Sequence, residues 1–138
     1  MNLSSSDTLH PLLKQFKIMV DLQPLHLLSM CREESEKRQL ALQFCIARQA
    51  HFPLLKQLFA ATSKEVVAVR KEINAPMPPR IAVNVPDREM WRMWRDWLSI
   101  KAEFSQEVDQ WVVIAQRYPS YALSTLYRVL VIEVGETQ

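Results

Sequence analysis

Apolar residues recur every three or four positions along most of the chain, which is the spacing of one face of an α-helix. Eight prolines and several polar clusters interrupt this pattern and divide it into segments of helical length. The pattern predicts an all-α fold: a single compact domain of about six to seven helices that contains a helix-turn-helix. A Pro-rich extended segment is predicted in the middle of this domain.

The predicted domain spans residues 1–138 and has four parts. These are an N-terminal helical segment (1–35), a helix-turn-helix core (36–75), a Pro-rich arm (76–86) and the C-terminal helices (87–138).

The first predicted helix ends at Pro24, and a short apolar piece of helix follows at 25–30. The apolar face of this first helix consists of Leu9, Leu12, Leu13, Phe16 and Val20. A charged stretch then begins a long helix, which becomes apolar from Leu40 and continues to about Gln49. Two pairs in the stabilising i,i+4 order support this start: Glu33 with Lys37, and Glu34 with Arg38.

The predicted core centres on a turn at residues 60–62, between a helix that begins at Pro53 and a second helix that begins at Ser63. Thr62 and Glu65 fit a capping box, in which each residue bonds the backbone N–H of the other. The second helix has an apolar stripe that is expected to pack on the helix before the turn. Val66, Val69 and Ile73 form this stripe together with Arg70, which could hold a phosphate at the edge of the outward face.

The pattern leaves two interpretations of this helix pair open, a DNA-binding helix-turn-helix and two antiparallel core helices. In the first, the second helix enters the major groove with its outward residues. Residues 46–80 contain six basic and two acidic side chains, an excess that suits nucleic acid and also suits an ordinary solvated face. The candidate DNA-binding residues are Ser63, Lys64, Ala68, Arg70, Lys71 and Arg80.

Three prolines at 76, 78 and 79 end the second helix, and the alternating residues 81–86 predict an extended arm or one short strand. Such a segment either packs on its own domain or pairs with another subunit. Asp87 is expected to cap the next helix, whose tryptophans form either a core stripe or a partner surface. The candidate partner-binding residues are Trp91, Trp94, Trp97, Ile81 and Val83.

Two more helices are predicted towards the C-terminus. The first is amphipathic, with Val108, Trp111 and Val112 on its apolar face. The second is expected to be capped by Ser120 and closed by Gly135 as a C′ residue.

Composition then removes several classes of function. The chain has a single glycine, so loops that cradle phosphates and tight hairpin turns are not expected. The three histidines stand in no metal-binding or catalytic motif, and no pair of carboxylates suggests acid–base chemistry. We therefore predict no enzyme activity, no cofactor, no metal and no small-molecule substrate.

The two cysteines, Cys31 and Cys45, form no CxxC pair and are expected to be packing residues. The N-terminus lacks the features of a signal peptide, and no apolar run approaches the length of a membrane span. The sequence therefore predicts a cytoplasmic protein without a membrane partner.

A group of short motifs resembles one family. They are Gln39-Leu40-Ala41-Leu42, Ala47-Arg48, Leu54-Leu55, Thr62-Ser63, Val66 with Val69, Lys71-Glu72, Pro76-Met77-Pro78-Pro79-Arg80 and Met90-Trp91. In this order, over residues 36–97, the chain resembles the FlhC-type transcriptional activators. These are the DNA-binding subunit of the flagellar master regulator, with shorter relatives on integrative elements and pathogenicity islands.

The resemblance implies DNA contact by Lys64, Ala68 and Lys71, and assembly with a second small regulatory subunit or with itself. It does not extend to the family's C-terminal cluster of four zinc-ligand cysteines, which this chain lacks. We therefore predict a DNA-binding transcriptional regulator subunit that acts on double-stranded DNA in a homo- or hetero-oligomer. The alternatives are a helical protein-interaction adaptor and an accessory replication protein of a mobile element or pathogenicity island.

Overall fold

The structure is a computed structural model that describes residues 24–135, so the predicted helix containing Leu9 and Val20 lies outside the described residues. The described part belongs to the all-α class and contains no strand, as predicted. Its helices are α1 (Pro24–Met30), α2 (Glu34–Ala47), α3 (Phe52–Phe59), α4 (Ser63–Ile73), α5 (Asp87–Glu103), α6 (Glu107–Arg117) and α7 (Leu123–Tyr127). Helix α7 continues directly into a π-helical segment, Arg128–Glu133.

Helix α2 is the centre of the fold. Its first turn is exposed and charged, but residues 40–46 are buried on every side of the helix, including the polar Gln43. A helix that is buried all round needs neighbours on every face. Helices α1, α3, α4 and α6 all pack on α2 and provide them.

A second centre of packing lies where α6 meets α5 and α7. Residues 110–115 of α6 are buried in succession. The Trp111 ring lies 4.4 Å from that of Trp97 and 5.8 Å from that of Tyr127, measured between ring centroids. Buried aromatic rings at these separations contribute packing area and a favourable edge or offset interaction.

The predicted caps of α5 and α7 are wrong. Asp87 is the first residue of α5 and makes no capping hydrogen bond, since the N-cap position belongs to Pro86. Ser120 lies in a turn two residues before Ala122, the N-cap of α7. Distant carbonyls satisfy the start of α7 instead. The N–H of Leu123 donates to the Arg48 carbonyl at 2.7 Å, and the N–H of Ser124 donates to the Gln49 carbonyl at 3.2 Å.

The predicted reason for a glycine at position 135, a C′ conformation with positive φ, is also wrong. Gly135 does not adopt the positive φ of a C′ glycine. Its place is explained by contact, because a Cβ atom there would lie 2.5 Å from the Leu130 carbonyl oxygen. The helix before it is π-helical, and Arg128 and Glu133, five positions apart, form a 2.6 Å ion pair across one such turn.

Among residues 24–135, no helix combines the length and the apolar character that crossing a membrane requires.

Candidate nucleic-acid interface

The turn between α3 and α4 occupies residues 60–62, as predicted. Ala60 adopts a left-handed conformation with φ 53° and ψ 36°, which ends α3. Ala61 is buried under the turn. Thr62 is the N-cap of α4, and its hydroxyl accepts a hydrogen bond from the Glu65 N–H at 3.1 Å. The predicted start of α4 is therefore confirmed.

Arg38 of α2 holds both sides of this turn. Its Nη1 and Nη2 atoms donate to the two Glu65 carboxylate oxygens at 2.8 and 3.0 Å. Its Nη2 and Nε atoms also donate to the Phe59 carbonyl, the last of α3, at 2.9 and 3.3 Å. One guanidinium thus joins the end of α3 to the first turn of α4.

This contact replaces the ion pairs predicted within α2. Neither Glu33 with Lys37 nor Glu34 with Arg38 forms an ion pair among the described residues. An exposed i,i+4 pair contributes only about 0.3–0.5 kcal/mol. A bidentate carboxylate contact combined with a carbonyl makes fuller use of the five donors of Arg38.

The same contact sets the charge at the start of α4. A side-chain hydrogen bond from Arg38 lowers the pKa of Glu65, helped by the Arg38 charge and by the Thr62 backbone N–H. The Glu65 carboxylate in turn raises the pKa of Arg38. Glu65 therefore stays ionised, with its negative charge balanced within the fold.

The packing of α4 differs from the prediction. Val66 and Val69 are buried and Ile73 is half-buried, but α4 packs mainly on α2 rather than on the helix before the turn. Helix α3 has eight residues, and its own apolar side chains, Leu54 and Leu55, are fully buried in the core. Helix α2 is longer and central, so it offers α4 the larger apolar surface.

The opposite face of α4 is open to solvent. Four of the predicted DNA-binding residues are exposed on this helix: Ser63, Lys64, Ala68 and Lys71. Val67 is also exposed, with 62% of its surface accessible. It lies three residues after Lys64, and this helical spacing predicts that it borders the outward face.

The two remaining predicted DNA-binding residues differ from each other. Arg70 is half-buried, and its Nε atom is buried without a hydrogen-bond partner among residues 24–135. Arg80 is exposed in the non-helical segment that follows α4. The structure thus brings five candidates together on α4 and places Arg80 beyond its C-terminal end.

One basic residue counted in the charge of 46–80 is occupied internally. The Arg48 guanidinium donates to the carbonyls of Ala115, Tyr118 and Tyr121 at 2.7, 3.2 and 2.8 Å. Burial lowers its pKa. Arg48 therefore caps the end of α6 and adds nothing to a nucleic-acid surface.

The segment after α4 contains neither helix nor strand between Asn74 and Asp87, so the short-strand alternative does not hold. The Gln49 side chain donates to the Met77 carbonyl at 2.8 Å, and the Arg128 guanidinium donates to the Val83 carbonyl at 2.6 Å. Val85 is buried. The arm is thus attached to its own domain at three points.

The partner-binding candidates fall into two groups. Ile81, Val83 and Trp91 are exposed, at 83%, 38% and 49%, and Trp94 is half-buried. Trp97 is 5% exposed and packs in the core on Trp111, so its assignment to a partner surface is wrong. Met93 and Ile100 share its buried face, since positions three and four apart meet on a helix.

Within residues 24–135, no three His, Cys, Asp or Glu side chains are grouped as a metal site would require. Cys45 is fully buried, and burial raises its pKa to about 12, so its thiol stays protonated. Cys31 is half-buried, with its pKa raised by burial and by a hydrogen bond with Glu36. Burial lowers the pKa of His51, whose ring packs edge-on against Tyr127.

The chain was compared with protein-family models, with curated proteins and with solved structures. None of the three comparisons gave a match.

Proposed function

We propose that this protein is a DNA-binding transcriptional regulator that inserts the outward face of α4 into the major groove and acts as a subunit of an oligomer. One observation carries the proposal. Arg38 fixes the turn between α3 and α4 and balances the carboxylate in the first turn of α4. The N-terminal end of α4 therefore presents no unpaired carboxylate to an anionic partner, because the Glu65 charge is balanced by Arg38.

The composition of that face suits contact with a duplex. Lys64 and Lys71 stand seven positions apart, about 10 Å along the helix, and reach phosphates or guanine edges. Val67 and Ala68 lie between them and suit the methyl group of thymine. Ser63, in the first turn, suits a phosphate next to the free backbone N–H groups of a helix start.

The resemblance of residues 36–97 to the FlhC-type activators supports the same proposal and adds the oligomer. A transcriptional regulator and an accessory replication protein would share the α4 contact and would differ in the DNA that they bind. Selection of bound duplexes from a randomised pool, followed by their location in the genome, separates the two roles.

The proposal is tested by the affinity of the full chain for duplex DNA over a series of salt concentrations, alone and with the product of the neighbouring gene. Affinity should fall steeply with salt. Protein binding releases cations that are condensed on the DNA phosphates, and a higher salt concentration opposes that release. Lys64→Ala combined with Lys71→Ala should reduce the slope of log K against log salt by about 2.

A matched variant removes the same charge elsewhere. Arg95→Ala combined with Lys101→Ala takes two exposed cations from α5 and should leave the salt slope nearly unchanged. If both double variants weaken binding equally, DNA responds to net charge alone. The assignment of α4 as the recognition helix is then wrong.

A second candidate function is a protein-interaction adaptor, favoured by the exposure of Trp91. A large aromatic side chain that is half exposed on a rigid helix is typical of an interaction site. Retention of protein partners together with no DNA binding at low salt would favour the adaptor over the regulator.

A further inference from the structure

The outward face of α5 carries an apolar stripe that no described residue covers. Trp91 and Leu98 are each 49% exposed, and Ala102 is exposed as well. At 100° per residue these three positions lie within about 40° of one another around the helix. Met93 and Ile100 are buried on the opposite side. The stripe therefore runs along the line of α5 that points directly away from the core.

The spacing of the stripe is that of a helix-pairing seam. Trp91 and Leu98 are seven positions apart, which places them one above the other at about 10 Å. Ala102 extends the line by another turn. Arg95 stands between Trp91 and Leu98 along the helix axis but about 40° to one side of Trp91, the same side as Arg88. Side chains that repeat at this interval along a straight line match a partner helix laid alongside, rather than a strand or a compact ligand.

The charge around the stripe is positive. The exposed charged residues of α5 are four cations and two anions: Arg88, Arg92, Arg95 and Lys101 against Asp87 and Glu103. The other two carboxylates are half-buried and paired within the fold. Glu89 accepts from the Tyr121 hydroxyl and lies 3.6 Å from the Arg92 guanidinium, and Asp96 accepts from the Tyr118 hydroxyl and lies 3.8 Å from the Arg117 guanidinium. Arg88 and Arg95 make no hydrogen bond or ion pair with any residue of 24–135.

We propose that the outward face of α5 binds an acidic amphipathic helix of a partner protein. Trp91 and Leu98 pack against the apolar residues of that helix, while Arg88 and Arg95 bind its carboxylates. An apolar centre with charged residues at its rim is the usual arrangement of a specific protein interface. The proposal deepens the interaction role and does not depend on DNA contact by α4.

Charge argues against a second copy of α5 as the occupant. In an antiparallel pair that matches Trp91 with Leu98, Arg88 would stand opposite Lys101. In a parallel pair every charge would stand opposite its own copy. Like charges directly opposed across a contact are destabilising. Duplex DNA fits poorly for another reason, because the apolar stripe at the centre of the face would meet phosphates.

The test uses the full chain and two labelled synthetic helical peptides. Both peptides have leucine at the a and d positions, and they carry either glutamate or lysine at the flanking positions. By fluorescence anisotropy, the glutamate peptide should bind at least tenfold more tightly than the lysine peptide, an order-of-magnitude expectation for opposite against like charge. Trp91→Ala should weaken binding of the glutamate peptide roughly 30-fold, as for an interface anchor.

Two variants complete the design. Ile132→Ala is the matched control, since Ile132 is 48% exposed on the π-helical segment, and it should leave peptide binding unchanged. Arg88→Glu combined with Arg95→Glu should reverse the preference towards the lysine peptide, which loss of fold would not produce. Equal binding of both peptides, an unaffected Trp91→Ala variant, or displacement of the peptide by duplex DNA overturns the proposal.

DNA binding by α4 and peptide binding by α5 can be tested independently of each other. Lys64→Ala with Lys71→Ala should lose DNA affinity and keep the affinity for the glutamate peptide. Trp91→Ala should do the reverse. Peptide binding lost together with DNA binding in the α4 variant would show that α5 has no separate site.

Discussion

Arg38 in α2 and Arg48, the C-cap residue of α2, do the same structural task at opposite ends of the helix and in different surroundings. Arg38 binds the last carbonyl of α3, and Arg48 binds the Ala115 carbonyl near the end of α6. Each guanidinium also holds the turn that follows. Arg38 has a carboxylate partner and a side chain that is 37% exposed. Arg48 binds carbonyls in a setting where burial lowers its pKa.

The two arginines are therefore expected to contribute differently to stability. Water can replace Arg38 at the Glu65 carboxylate, because the Glu65 side chain is 30% exposed. Around Arg48 three carbonyls would lose a charged donor. Two of them belong to the buried residues Ala115 and Tyr118, and such a loss is costly. We therefore expect Arg48 to determine global stability, and Arg38 to determine the geometry and charge of the α4 surface.

The largest effect is expected from Arg48→Ala. It should lower the free energy of unfolding by about 3 kcal/mol, because charged hydrogen bonds to otherwise unpaired carbonyls are lost. Urea denaturation followed by circular dichroism measures this change. Arg48→Lys should recover part of the loss, since an ammonium reaches fewer of the three carbonyls than a planar guanidinium does.

Arg117→Ala is the matched control for that prediction. Arg117 ends α6 near the same turn, but its side chain is 44% exposed and its ion pair with Asp96 spans 3.8 Å. Its removal should change stability by about 0.5 kcal/mol or less. Similar losses for Arg48→Ala and Arg117→Ala would contradict the expectation that the half-buried Arg48, with its three carbonyl partners, stabilises the fold more than the exposed Arg117 does.

The sequence predicts the helices well where the signals are local. The Thr62 cap and the prolines after Asn74 define α4 almost to the residue, because a cap and a proline act within one helical turn. The central α2 follows from its apolar run. The exposed face of α4 is likewise predictable, since period 3.6 places Lys64 and Lys71 opposite Val66 and Val69.

The long-range contacts of Arg38 and Arg48 are not predictable from local signals. Arg38 meets Glu65 across 27 residues, and Arg48 meets Ala115 across 67. Nothing local distinguishes these arginines from surface cations. The start of α7 is similar, because carbonyls of residues 48 and 49 replace the expected Ser120 cap. Trp97 shows the remaining limit, since a three-residue spacing of tryptophans does not say which ring faces the core.

A smaller effect is expected from Arg38→Ala, with a dependence on pH that Arg48→Ala lacks. Its cost should be about 1 kcal/mol or less at neutral pH, because the pair is partly exposed. The lowered pKa of Glu65 means that the pair stabilises the fold above the ordinary carboxylate pKa of about 4. This stabilisation is lost as pH falls through the lowered value.

The difference in unfolding free energy between wild type and Arg38→Ala should therefore shrink in acid and also in high salt. Glu65→Gln should show the same shrinkage, since it removes the same charge pair. The Arg48→Ala difference should stay constant under both changes. A constant Arg38→Ala difference through the acid range would show that the Phe59 carbonyl contact, and not Glu65, carries the effect.

The smallest effect is that of Arg38→Ala on DNA affinity. It links the contacts of Arg38 to the proposed function. Arg38→Ala leaves the Glu65 carboxylate unbalanced at the leading end of α4, where it would repel phosphates. The affinity should fall roughly two- to fivefold, the size of a single charge near a helix terminus. Adding Glu65→Gln to Arg38→Ala removes the repulsion and should restore most of the affinity. The double variant lacks both the ion pair with Glu65 and the Arg38 contact with the Phe59 carbonyl. If the double variant binds no better than Arg38→Ala, Arg38 acts on DNA binding by holding α4 in place rather than by balancing its charge.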